Sequence, residues 1–212
     1  MKKLVLVSIH FEDSPQAVPL GAAMLVAGIK KSALLRDRVT PCLRDFYASD
    51  DVSGCVEAIL SDNPDYVGFS LALWNRGLGI NLAAGLAAEA LKRGRPDFVL
   101  FAGGPEATGD PRGLLKTGLF DFVFRGEAEE TLAALLSLLV EGGSRAGKAV
   151  SGALSVPVAG VIAAGSWKTG SGRSPEPAFV ENLDSLPSPF LDGTLNLPSY
   201  GGLLWELSRG CP

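Results

Sequence analysis

Between Lys3 and Ile9 the chain reads KLVLVSI, a nearly continuous apolar run rich in β-branched residues. A strand with one wet face alternates polar and apolar positions, so an unbroken run of this kind is a strand covered on both faces. Such a strand belongs in the middle of a parallel sheet, and parallel neighbours need right-handed helical crossovers between them. The chain meets that demand. Leu20 to Leu35 carries Met24, Leu25, Ile29 and Leu34 near helical spacing. Val39 to Tyr47 contains Pro41 and reads as an edge strand, because proline cannot donate to an interior ladder. Ser53 is positioned to cap a helix to about Ser61. Tyr66 to Leu73 is a third, buried strand, followed by a helix from Leu78 to Arg93 built on Ile80, Ala84, Ala87 and Leu91. Phe98 to Ala102 and Phe120 to Phe124 give a fourth and fifth strand, and Thr131 to Glu141 a closing helix. The pattern predicts an α/β fold: a doubly wound, Rossmann-like parallel sheet of five strands in the flavodoxin-like order 2-1-3-4-5.

Composition narrows the class. A chain of 212 residues is long enough for one α/β core with roughly sixty residues over, at roughly 100–150 residues per domain. A formal net charge of −4, with no Lys/Arg run longer than a pair, offers no grip for nucleic acid. MKKLVLVSIHF lacks a cleavage site and meets His10, Glu12 and Asp13 at once, so it reads as a first strand of a cytoplasmic protein rather than a signal peptide. No uninterrupted apolar run reaches the about 18 residues of a membrane span. Cys42, Cys55 and Cys211 have no paired spacing and support no disulfide framework.

In doubly wound sheets ligands lie outside the carboxyl ends of the strands, where the strand order reverses. Four stretches fall there: HFEDSPQAVPLG, SLALWNRG, GGPEATGDP and RGEAEET. Gly103 and Gly104 either let a flat ligand approach the backbone or form an ordinary turn. Ser70 either offers a hydroxyl to a ligand amide or caps. Trp74 beside Asn75 is either a stacking platform or a side chain packed on its own domain. Arg125, Gly126 and Glu127 are either a solvated charge pair or a donor and acceptor facing a ligand or a neighbouring domain. A phosphoacceptor site needs an Asp closing the third strand, where Ser70 stands. A dinucleotide site needs G-x-G-x-x-G after the first strand, whereas Gly77, Gly79 and Gly85 follow the third with other spacing. SPQAVPLG supplies little of a flavin phosphate loop.

The set as a whole resembles the cobalamin-binding domain that precedes many radical S-adenosylmethionine (SAM) enzymes. The likeness lies in PLG at Pro19–Gly21, VGFSLALWN at Val67–Asn75, GGPEAT at Gly103–Thr108 and FRGEAEET at Phe124–Thr131. LDSLPSPF at Leu183–Phe190 and ELSRGCP at Glu206–Pro212 are similar to the linker and the entry into the catalytic barrel. The resemblance implies a cobalamin-binding domain over residues 1–143, a linker over 144–202, and the first strand of a truncated barrel over 203–212. Within it, Gly142 to Ser174 reads as a flexible bridge or a surface excursion, with a short strand near Val158 to Ile162.

The implied cobalamin site comprises His10, Phe11 and Glu12 after the first strand, and Ser70, Leu71, Ala72, Leu73, Trp74 and Asn75 after the third. It continues through Gly103, Gly104, Pro105, Glu106, Ala107 and Thr108 after the fourth, and Arg125, Gly126 and Glu127 after the fifth. The D-x-H-x-x-G motif of histidine-ligated carriers is missing, since His10 stands in SIHFED. The resemblance therefore implies cobalt without a histidine, with His10 as the alternative ligand. Cys211 matches the first cysteine of the C-x-x-x-C-x-x-C loop that holds a [4Fe–4S] cluster and SAM. With that one cysteine, the segment itself is expected to bind no cluster and catalyse nothing. The longer enzyme would be a methyltransferase acting on a small molecule or other substrate, its partner being its own radical SAM domain, with neither nucleic acid nor membrane involved. The competing reading is a non-catalytic docking or substrate-binding module whose cobalamin site has decayed.

Overall fold

The computed structural model describes residues 1–94, 98–142, 157–165, 175–206 and 208–209. The KLVLVSI run forms the middle of β1 (Lys2–His10), which pairs in parallel with β2 (Val39–Tyr47) on one side and β3 (Tyr66–Ser70) on the other. β4 (Val99–Gly103) and β5 (Phe122–Phe124) continue the parallel sheet. The predicted order holds, with one addition: β6 (Val161–Ala163) pairs antiparallel with β5, so the sheet is six-stranded, 2-1-3-4-5-6. A three-residue strand leaves its outer edge open, and the returning chain covers it.

Side-chain alternation divides the core into two layers. Val5, Val7 and Ile9 point to one face, under α2 (Val52–Ser61) and α3 (Arg76–Lys92). Leu4 and Leu6 point to the other, under α1 (Leu20–Lys31) and α6 (Glu129–Glu141). That second face is aromatic. Phe101 touches Tyr66, Phe122 and Phe124 with ring centroids 5.9–6.0 Å apart. Burying each ring contributes about 2 kcal/mol, and Phe101→Ala would cost about 3–5 kcal/mol because the rings around it cannot all collapse into the hole.

Several boundaries differ from the periodicity, each for a local reason. α1 stops at Lys31 because Ser32 turns extended (ψ 120°), and Leu35 reaches the core from the turn that follows. The α2 cap is Asp51, whose carboxylate accepts from Gly54 N at 2.8 Å, rather than Ser53. β3 ends at Ser70, and Leu71 N donates to Gly103 O instead of continuing a strand. After β4 the chain folds into two short helices, α4 (Pro105–Gly109) and α5 (Pro111–Lys116), each opened by a proline of the GGPEATGDP stretch at a position whose N–H would be unpaired anyway. Leu203–Glu206, expected as a barrel strand, is irregular; a strand forms only against a neighbour, and among the described residues none pairs with it. Much of the expected flexible bridge (143–156 and 166–174) lies outside the described residues.

Candidate functional site

A glycine inside a buried strand marks a place where something approaches the backbone closely. Gly68 is such a residue. It sits in β3 in register with Leu6 of β1 and Phe101 of β4, and a Cβ built on it would lie 2.8 Å from Leu6 Cδ2. The gap above it opens into a crevice of about 190 Å³ between the sheet and the paired helices α1 and α6. Its walls are apolar: Leu6, Phe101, Phe124, Leu25, Ala22, Ala128 and Leu132, with Gly21 on the α1 side. Ser70, Gly103, Gly104, Gly126, Glu127 and Glu129 line it where the strands end. β1 lies between β2 and β3, so this is where the strand order reverses and both flanking loops diverge. The size and apolar lining suit one flat ring system of a ligand whose bulk stays outside. A larger hollow of about 810 Å³ lies at the opposite, amino edge, but its lining is mainly polar and its charges face each other, as in the Lys2–Asp65 pair at 2.8 Å.

Five of the sequence-derived residues line the crevice: Ser70, Gly103, Gly104, Gly126 and Glu127. The others stand around it in different roles. His10 ends β1 and leans toward β2, its Nε2 3.4 Å from Asp45 Oδ1 and its ring 6.0 Å from that of Tyr47. Burial, together with a hydrogen bond to Asp13, pushes the Tyr47 phenol up. Phe11 and Trp74 are exposed and meet edge-on at 6.3 Å, beside an exposed Leu73 and Glu12. This apolar projection stands at the carboxyl edge of the sheet.

Leu71, Ala107 and Asn75 face inward. Leu71 and Ala107 are fully buried in the α2/α3 layer. Asn75 is buried too, and its amide is taken by the protein: Oδ1 accepts from Ala72 N at 2.8 Å, and Nδ2 donates to Ile9 O and Ser70 O. Gly104 has φ +95° and supports the loop crossing rather than leaving space, since a Cβ there would stand 2.6 Å from Leu71 O. Pro105 opens α4, and Glu106 is paired with Arg76, which also donates to Asp110 at 3.0 Å. The hydrogen bond from Gly113 N, then the one from Arg76, hold the Asp110 carboxyl below its usual range. Thr108 Oγ1 accepts from Gly126 N at 2.9 Å, and Arg125 donates to the carbonyls of Thr108 and Pro175. These contacts brace the β4 and β5 loops against each other.

Sequence reasoning missed the floor and helical walls of the crevice, Leu6, Gly21, Leu25, Gly68, Phe101, Glu129 and Leu132 among them. The available signal was Gly68 itself, which breaks an otherwise apolar, β-branched and aromatic strand.

The acidic side of the mouth holds two later segments of the chain. Glu127 Oε2 accepts from Val180 N, while Ala178 exchanges backbone hydrogen bonds with Arg125 and Glu127. Arg209 reaches Glu129 at 2.7 Å and Glu127 at 3.5 Å, with Glu206 completing its shell at 2.7 Å. Among the described residues no cluster of His, Cys, Asp and Glu could hold a metal ion, and no helix is long and apolar enough to cross a membrane. Cys211 lies outside the described residues.

The family model described as the B12 binding domain matches residues 14–136, more than half of the chain. No curated protein sequence matches it. Among solved structures, the chain is similar to the cobalamin-dependent S-adenosylmethionine radical enzyme OxsB with aqua-cobalamin and S-adenosylmethionine bound. The TM-score is 0.67 at 16% identity, over 91% of this chain and 24% of that one. It is also similar to the radical S-adenosylmethionine methyltransferase TsrM from Kitasatospora setae with cobalamin and a [4Fe–4S] cluster bound. There the TM-score is 0.53 at 18% identity, over 89% of this chain and 31% of that one. The chain thus spans about a quarter to a third of the length of the solved enzymes it resembles.

Proposed function

The chain belongs to the B12-binding domain family, and from that premise we propose that it carries cobalamin for a radical SAM methyltransferase. The observation that carries this reading is the Gly68 gap: an apolar crevice at the strand-order reversal, floored by Leu6 and Phe101 and walled by α1 and α6. Such a crevice accepts the aromatic end of the cofactor's nucleotide tail by burial alone, at about 25 cal/mol per Å² of apolar surface removed from water. Ser70, Gly103 and Glu127 at its mouth offer polar contacts to the amide-rich remainder. Phe11, Leu73 and Trp74 give the macrocycle an apolar surface at the sheet edge. When bound, cobalamin supplies methyl-transfer chemistry at its cobalt.

The chain's own part is to bind, orient and shield. His10 is held by Asp45 on the β2 side, away from β3, which supports a cobalt without a protein ligand. In the whole protein Cys211 would be the first thiolate of a [4Fe–4S] cluster that binds SAM, and the barrel would supply the rest. The similarity to two solved radical SAM enzymes that bind cobalamin supports that organisation.

The test is a visible absorption titration with hydroxocobalamin followed by gel filtration. Retained corrin with a spectrum lacking axial dimethylbenzimidazole is expected, unchanged in His10→Ala. If the full-length protein retains no corrin, the reading is wrong and a docking module takes its place.

A further inference from the structure

The crevice beside Gly68 is poor in hydrogen-bond acceptors. Its floor is β3 between Leu6 and Phe101, an interior strand whose backbone groups are taken up by the parallel ladders to β1 and β4. Each helical wall presents one face: Gly21 and Leu25 stand one turn apart on α1, and Leu132 stands one turn after Glu129 on α6. Ser70, Glu127 and Glu129 are the polar side chains of the lining, and they stand where the strands end. Both carboxylates are already engaged, Glu127 by Val180 N and Glu129 by Arg209 at 2.7 Å.

That lining discriminates between the bases that can end a cobamide's nucleotide tail. Dimethylbenzimidazole and adenine share an imidazole ring and differ in the ring fused to it. In the first that ring is a carbocycle bearing two methyl groups; in the second it carries two ring nitrogens and an exocyclic amine. A donor taken out of water with no acceptor to meet it weakens binding, whereas each methyl group taken out of water strengthens it. The amine of adenine would need an acceptor between Leu6, Leu25, Phe101 and Leu132, and none of these side chains is one.

We propose that the crevice selects the tail base, admitting a dimethylbenzimidazole-type carbocyclic base and disfavouring a purine. The inference deepens the cobalamin reading above and rests on it. Leu25 is the wall residue through which the preference can be altered, because it lines the crevice yet is only partly buried against the core.

The experiment uses the full-length protein and its Leu25→Gln and Leu25→Met variants. Affinities are measured for hydroxocobalamin, for the hydroxo form of the adenine-tailed cobamide, and for diaquacobinamide, which has no tail base. Each is corrected for the base-off fraction of the free cobamide, read from its own acid titration, because only that form can place its base in the crevice. The wild type should bind hydroxocobalamin at least about tenfold more tightly than the adenine-tailed cobamide, and cobinamide more weakly than hydroxocobalamin. Leu25→Gln should narrow the preference at least about threefold while binding cobinamide as the wild type does, and Leu25→Met, which stays apolar, should keep the preference. Equal corrected affinities for the two base-bearing cobamides overturn the selection. Cobinamide bound as tightly as hydroxocobalamin overturns a crevice filled by the base. A preference unchanged in Leu25→Gln, or lost equally in Leu25→Met, overturns selection by wall polarity. A wild type that retains none of the three corrinoids overturns the cofactor reading itself.

Discussion

A methyl group placed on Gly104 would stand 2.6 Å from the carbonyl oxygen of Leu71 and 3.0 Å from its amide nitrogen, so the loops leaving β3 and β4 meet backbone to backbone. They are also hydrogen-bonded there, Leu71 N to Gly103 O at 2.8 Å and Glu106 N to Leu71 O at 3.0 Å. Gly104→Ala combines that clash with a φ of +95°, and should cost about 2–4 kcal/mol in urea unfolding. Gly103→Ala, whose Cβ meets only Phe124 Cβ at 3.8 Å, should cost about 1 kcal/mol or less.

Gly21 faces the crevice from the first turn of α1, and a Cβ there meets nothing within 4 Å. Gly21→Leu extends an apolar side chain from a position that lines the crevice, where its Cβ meets nothing, and raises helix propensity by up to about 1 kcal/mol. The melting temperature should hold or rise while hydroxocobalamin affinity falls at least about tenfold, which is about 1.4 kcal/mol. Unaltered affinity would place the ligand elsewhere.

Asn75→Ala strands the Ala72 amide and the Ile9 and Ser70 carbonyls at once. A loss of about 2–3 kcal/mol is expected. Asn75→Asp, which keeps the acceptor for Ala72 N and loses both donors, should fall between wild type and Asn75→Ala in denaturant titrations.

Asp62 holds β1, β2 and the end of α2 together, accepting from Arg44 at 2.6 and 2.9 Å and from Lys3 at 3.4 Å. The Arg44 hydrogen bonds, with Lys3 adding to them, keep its carboxyl below the usual range. The folded state therefore binds this proton less readily than the unfolded chain, whose Asp titrates near about 3.9. The stabilisation is present above that pH and is lost as the pH falls through the lower folded value. Asp62→Asn should be less stable than wild type at pH 7, and the gap should close below about pH 4 in urea titrations at stepped pH.

Trp74 is half exposed and meets the Phe11 ring in an edge-to-face contact. Trp74→Ala should change stability by no more than about 0.5 kcal/mol, as for other surface substitutions. Corrinoid affinity should drop several-fold if the macrocycle rests there. A stability loss with intact affinity would make Trp74 an ordinary packing residue.

Where the residues could be read ahead of the structure, periodicity was the reason. The buried run of β1, the proline in β2 and the helical spacing of α3 each report an environment that a single strand or helix face imposes. The functional loops were legible as places, since topology alone puts a ligand at the strand ends. Individual side chains there were not. Asn75, Leu71 and Ala107 look like ligand contacts in a motif and face the interior in the fold, because whether a loop side chain points in or out depends on contacts far away in sequence. Gly104 was singled out for openness and serves a close crossing. The crevice floor escaped notice because Leu6 and Phe101 read as ordinary core; only register with Gly68 shows the gap between them. The ion pair of Arg209 with Glu129 joins positions some 80 residues apart, which no local pattern encodes.

The antiparallel pairing of Val161–Ala163 with Phe122–Phe124 also bears on handling the protein. Phe-Val-Phe is a short, sticky, uncharged sequence, and among the described residues Val161–Ala163 are what pairs with its outer edge and keeps its hydrogen-bonding groups from another molecule. A shortened form ending soon after α6 would retain every strand of the parallel sheet and the helical walls of the crevice, yet it would precipitate or form soluble aggregates at concentrations where the longer chain stays dispersed. Expression trials aimed at a minimal cofactor-binding unit should therefore extend past Ala164.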